Sequence, residues 1–238
     1  MTDGMDDERW IHEAERLYGR YQREIVEACG LCPWALKSRT DGRFRTRVLL
    51  ATDPRDKASV LAILDELDLE PRTEVAVLVF PRLPLGRLAF ERFVGELRDA
   101  DSPRHPIGCI PFVFAAFHPD ASPDATDAER MIPFLRRTPD PTIQILRTDV
   151  LDRVRSSTPQ GTQFIDMRSL EALDVDTKEE EVSLRQRIAR TNLATVERIG
   201  IAEMTRRLDV IVADRKATYS ELESAAAAAK SRELRLPG

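Results

Sequence analysis

Cys29 and Cys32 stand in a C-x-x-C spacing within ACGLCPWA (28–35), with Pro33 and Trp34 directly behind. Such a pair is redox-active when it opens a helix after a strand, and is half a zinc site when two further ligands follow. Here the residues ahead carry a helical pattern. No second C-x-x-C or H-x-H accompanies Cys109 or the histidines. A buried structural thiol is the plainer reading of Cys29. Cys32 is set apart by Pro33, which fixes the backbone behind the sulfur and removes an amide donor. Thiolates so placed can ligate haem iron. At a helix C-terminus Cys32 would gain none of the thiolate stabilisation of a helix N-terminus.

In AAFHPD (115–120), His118 closes an apolar run where a strand leaves its sheet, a place where ligands collect in open α/β sheets. Asp120 is spaced to orient the ring. The alternative is a histidine that ties the strand end through backbone hydrogen bonds. Further on, FLRRTPDPTIQILR (134–147) sets Arg136, Arg137 and Arg147 around Pro-Asp-Pro. Arginine forks grip carboxylates or phosphates, a propionate-bearing cofactor included. Pairing with nearby aspartates is the competing role. His105 and His12 read as surface residues.

The whole chain narrows the class. It has 238 residues, 42% hydrophobic and 32% charged, as in a soluble globular protein. Without a run of eighteen apolar residues, no membrane span is expected. The acidic start MTDGMDDERW lacks a secretory h-region, so a cytoplasmic location is expected. The formal net charge of −5 argues against nucleic-acid or membrane partners. SRTDGRFRTR (38–47) carries four arginines, read as a solvated loop. There is no P-loop, G-x-G-x-x-G, H-E-x-x-H or G-x-S-x-G.

The positioning elements follow from periodicity. Apolar residues from Trp10 to Val26 fall on one helical face over 6–28, with Gly30 as its stop. Strands are expected at 46–52, 73–81, 110–119 and 142–148, and helices at 54–69 and 85–100. Residues 119–141 hold five of the fifteen prolines and read as a lid or binding loop. A helix begins after 148, then comes the polar loop STPQGTQ (157–163). Strong helix follows over 176–200, with one or two more beyond Gly200. The expectation is an α+β fold: a small mixed, partly parallel sheet of three to four strands flanked by helices. It forms one domain, with its core at about 8–155 and a helical C-terminal extension at about 176–230.

Three segments together, LCPWA (31–35), FHPD (117–120) and RTPDPTIQILR (137–147), resemble the LCPFA, FHPD and RSPYPTLHLLR segments of a bacterial domain-of-unknown-function family, number fourteen-fifteen. Their order matches over about residues 10–155. The resemblance implies a shared site containing Cys32, Pro33, His118, Asp120, Arg137 and Arg147, and demotes Cys29. The chain departs from it after FHPD, where ASPDATDAERMIPFLR replaces an aromatic and a Tyr-Thr-Asn.

The functional expectation is an iron- or haem-dependent oxidoreductase acting on a small molecule with O2 or peroxide. His118 is the axial ligand or distal acid–base group, Cys32 the thiolate ligand or pocket thiol, and Asp120 tunes the histidine. Arg137, Arg147 and Trp34 would hold the cofactor. Two rivals stand beside it. One is a metal-free Cys32–His118 enzyme of acyl or thiol transfer. The other is a non-enzymatic module binding an anionic ligand through its arginines. A homodimer is compatible with each. The spatial expectation is that Cys32 and His118 face a common pocket.

Overall fold

The computed structural model describes residues 2–156 and 184–233, apart from Pro33, Pro54 and Ala125. The loop expected at 157–163 and the first part, 176–183, of the helix expected over 176–200 lie outside the described residues.

The N-terminal helix α1 (Thr2–Tyr21) runs without a break into a π-helical turn, Gln22–Glu27. A π turn inserts an extra residue per turn, and here it rotates Gln22, Ile25 and Val26 inward. Gly30, at φ +65°, ends it in the left-handed region open to glycine. The chain continues through α2 (Ala35–Thr40), β1 (Phe44–Val48), α3 (Ala58–Asp68), β2 (Val75–Val79) and α4 (Arg87–Asp101). Then come β3 (Phe112–Phe117), α5 (Ala128–Leu135), β4 (Thr142–Arg147), α6 (Thr148–Ser156), α7 (Leu184–Ile199) and α8 (Ile201–Glu233). Among the described residues no helix is long and apolar enough to cross a membrane.

The sheet order is β1-β2-β4-β3. β1 and β2 are parallel, while β4 enters between β2 and β3 antiparallel to both. The expected mixed, partly parallel sheet flanked by helices, with helical C-terminal segments, is the architecture found. β2 is buried at all five positions, as its unbroken Val/Ala/Leu run requires. Strand alternation divides the sheet into two faces. Val77 and Val79 meet α1, the π turn, α5, α7 and α8 on one face. Ala76, Leu78, Phe114, Ile143 and Ile145 meet α3 and α4 on the other.

The proline-rich stretch at 119–141 is a correction. Its middle is helix α5, capped by the Asp127 carboxylate, which accepts from the amides of Glu129 (2.7 Å) and Arg130 (3.0 Å). Met131 and Phe134 are fully buried in the core. Proline content suggested a lid, but the apolar spacing of ERMIPFL makes a core helix.

α8 is one helix of 33 residues, about 50 Å long. It lies along α1, where Arg16 grips Asp214 bidentately at 2.8 Å on both arms and Arg20 joins them. These arginines hold the Asp214 carboxyl well below the usual range.

Candidate functional site

A cavity of about 450 Å³ lies on the α1 face of the sheet. Alternation supplies its floor: Val113, Ala115 and Phe117 from β3, and Gln144 and Leu146 from β4. α1 and the π turn add Tyr18, Tyr21, Gln22 and Val26, and β1 adds Phe44. Cys32, Trp34 and Ala35 come from the turn into α2, Leu135 and Arg136 from the end of α5, and Asn192 from α7. Its size and apolar wall with a few polar groups are those of a small-molecule site.

Of the residues expected from sequence, Cys32 and Trp34 line this cavity. Cys32 follows a helix end, as expected, yet it also precedes α2. The backbone amides of Trp34 and Ala35 favour the thiolate, as does the charge of Arg136. Burial is the larger effect and pushes the thiol pKa up. Cys29 is buried beside it in the core, 4.0 Å from the Arg207 guanidinium, and does not line the cavity.

His118 follows Phe117 by one residue and therefore points to the opposite face, where its ring lies 5.9 Å from that of Phe90. It is buried, and both nitrogens are engaged. Nδ1 accepts the Asp120 amide at 3.1 Å, so Nε2–H donates to the Leu85 carbonyl at 2.8 Å. Cys32 and His118 thus do not share a pocket, because one residue of strand period separates their faces. The Asp120 carboxylate is exposed, 3.7 Å from Nδ1.

The two named arginines also lie elsewhere. Arg137 donates to the Pro119 carbonyl (2.9 Å) and pairs with Asp209 of α8 (2.9 Å). Arg147 closes the end of α3, donating to the carbonyls of Leu67 (2.8 Å) and Thr73 (3.0 Å). It is Arg136 that reaches the cavity, its guanidinium 5.3 Å over the Phe117 ring. Its charge offsets part of the upward push of burial on both Tyr21 and Cys32. The arginines of 38–47 are ion-paired: Arg39 with Glu27, Arg43 with Glu74, Arg45 and Arg47 with Glu70. His105 is not a plain surface residue, since Nε2 lies 3.2 Å from the buried Asp101 carboxylate.

The polar groups of the wall differ in how they are satisfied. Tyr21 donates to the Leu135 carbonyl at 2.8 Å, and Tyr18 to the Gln22 side-chain oxygen at 3.3 Å. Gln144 and Asn192 have no side-chain hydrogen bond among the described residues. Sequence reasoning named Arg136 beside Arg137 and Arg147 but gave the anion to the latter two, and it missed Gln144 and Asn192 as site residues. The signal for Gln144 was its strand phase, shared with Thr142 and Leu146.

Cys32 gives an accessible check on this geometry. Because its thiol is pushed up, the thiolate fraction is small near neutrality and grows with pH through and above the ordinary thiol range of about 8.5. Alkylation of Cys32, followed at peptide level by mass spectrometry, is expected to accelerate steadily from pH 7 to above pH 9. Arg136→Gln should slow it at any fixed pH in that interval. A rate already at its plateau at pH 7 contradicts the burial.

No curated protein and no solved structure matches the chain. The model of the family described as "Protein of unknown function (DUF1415)" matches residues 15–183, well over half of the sequence, and the chain belongs to that family.

Proposed function

We propose that this protein binds a small organic anion in the cavity on the α1 face, with Cys32 as the chemically active group of its wall. One observation carries the reading: Arg136, stacked over Phe117, and Cys32 converge on one mostly apolar cavity of about 450 Å³. The aromatic and aliphatic floor takes the apolar body of the ligand. The guanidinium takes its charge, in surroundings where an ion pair is screened less than in water.

The test uses 2-naphthoate as probe, titrated against the purified protein by calorimetry. Saturable one-to-one binding is expected, weakened by at least about tenfold in Arg136→Gln, the worth of about 1.4 kcal/mol for a charge-assisted hydrogen bond. Binding that is insensitive to Arg136 sinks the proposal.

Haem is the second occupant to test, because Cys32 supplies a sulfur that iron would bind as thiolate and Arg136 a cation suited to a propionate. Iron-dependent oxidoreductase chemistry on a small molecule would follow from that occupant. His118, with both nitrogens committed and on the far face, takes no part in this version. A Soret band that forms on adding hemin and shifts in Cys32→Ser is the result this version requires. A spectrum equal to that of free hemin removes it.

A further inference from the structure

Two carboxamides on the cavity wall are not used by the fold. Gln144 sits mid-strand in β4, an interior strand, with Val77 and Ala115 as its cross-strand neighbours. Asn192 projects from α7 and is 9% exposed. Each lines the cavity, and neither has a hydrogen-bond partner among the described residues. A buried carboxamide without a partner, as Asn192 is, forfeits the bonds to water it held in the unfolded chain, and half-buried Gln144 forfeits part of them. An apolar residue of the same size would suit the folded chain better at position 192. Small Ala115 beside Gln144 leaves room where a larger side chain would have covered the amide. The rings of Tyr18 and Phe44, inclined by 19° with centroids 6.4 Å apart, add a flat aromatic wall.

We infer that Gln144 and Asn192 read a planar heterocycle with a lactam-type edge, N–H beside C=O, whose anionic group lies at Arg136. A carboxamide carries a donor and an acceptor side by side and so matches such an edge with two hydrogen bonds. Flat rings pack against the aromatic wall in offset or edge-on contact. The inference rests on the proposal that the cavity binds an organic anion and adds the class of ring it selects.

A matched pair of probes separates the two. 2-Oxo-1,2-dihydroquinoline-6-carboxylate and 2-naphthoate share a bicyclic carboxylate shape, but only the first has the lactam edge. By calorimetry the wild-type protein is expected to bind the quinolone at least about tenfold more tightly, since a site that hydrogen-bonds a polar edge rejects the analogue without it. That preference should vanish in Gln144→Leu and shrink in Asn192→Leu. Ligand-free Asn192→Leu is also expected to melt about 2–4 °C higher than wild type, because it loses an unsatisfied buried amide. Equal affinity for both probes, lost in Arg136→Gln, overturns the lactam inference and leaves the anion site standing. Failure of both probes to bind overturns both. A preference that survives both leucine variants, or a fall in the melting temperature of Asn192→Leu, overturns the lactam inference.

Discussion

Arg215→Met is expected to lower the unfolding free energy by about 3–5 kcal/mol, the cost of stranding a buried charge by removing its partner. Asp140 is fully buried at the start of β4. Its carboxylate accepts from Arg215 Nε at 2.6 Å and from the Tyr219 hydroxyl at 2.8 Å, both on α8. The hydroxyls of Thr138 and Thr142 bond its main-chain carbonyl at 2.7 and 2.9 Å. This is where the long C-terminal helix is tied to the sheet. Burial pushes the Asp140 carboxyl above the usual range, against the opposing pull of Arg215 and Tyr219. An acid whose folded-state pKa is raised binds its proton more tightly when folded. Its contribution therefore favours folding at low pH and is lost as pH rises from the unfolded value of about 3.9 through the folded one. Without Arg215 that folded pKa moves higher still. The deficit of Arg215→Met should consequently be smaller near about pH 5 than near about pH 7. Asp140→Asn in the Arg215→Met background, which removes the stranded charge, should recover most of the loss. Urea unfolding of the single and double variants at both pH values checks all three statements. A deficit under about 1 kcal/mol, the scale of an exposed pair, would show that the cluster is solvated.

Phe134→Ala is expected to cost a further about 3–5 kcal/mol of stability, as for other large aromatic truncations in cores. Phe134 is fully buried on α5, in the cluster that joins α1, the sheet and α7. This result separates the two readings of residues 119–141. A mobile lid would leave the denaturant midpoint unchanged and alter only ligand affinity. A core helix moves the midpoint, and denaturant unfolding shows it directly.

Those two readings also mark what the sequence makes legible. Buried β2 and the amphipathic α1 follow from apolar periodicity, and Gly30 stops α1 and its π turn as its freedom at positive φ allows. The insertion of β4 between β2 and β3 is a long-range pairing that local pattern does not encode. Residues 119–141 were obscured by prolines, although Asp127 and the spacing of Met131 and Phe134 carry a helix start and a buried stripe.

The site was half legible. Cys32 and Trp34 line the cavity. His118 was chosen for its residue type and strand-end position, but FVFAAFH alternates, so Phe117 and His118 must face opposite ways. Gln144 and Arg147 are an odd number of residues apart on β4 and diverge for the same reason. Asn192 falls between Ala189 and Val196 on the buried stripe of α7, a polar residue where the helical period asks for an apolar one. The choice between Arg136 and Arg137 depends on how α5 ends, which residue type does not reveal.

Protection of Cys32 from alkylation tests the central claim most directly, since it reports occupancy and location together. Iodoacetamide labelling is followed by peptide mass spectrometry at about pH 8.5, with and without saturating 2-naphthoate, and exposed Cys109 serves as the internal reference. The account predicts that the probe slows labelling of Cys32 by at least about tenfold, leaves Cys109 unaffected, and loses this effect in Arg136→Gln. An unchanged Cys32 rate under saturating probe would contradict it.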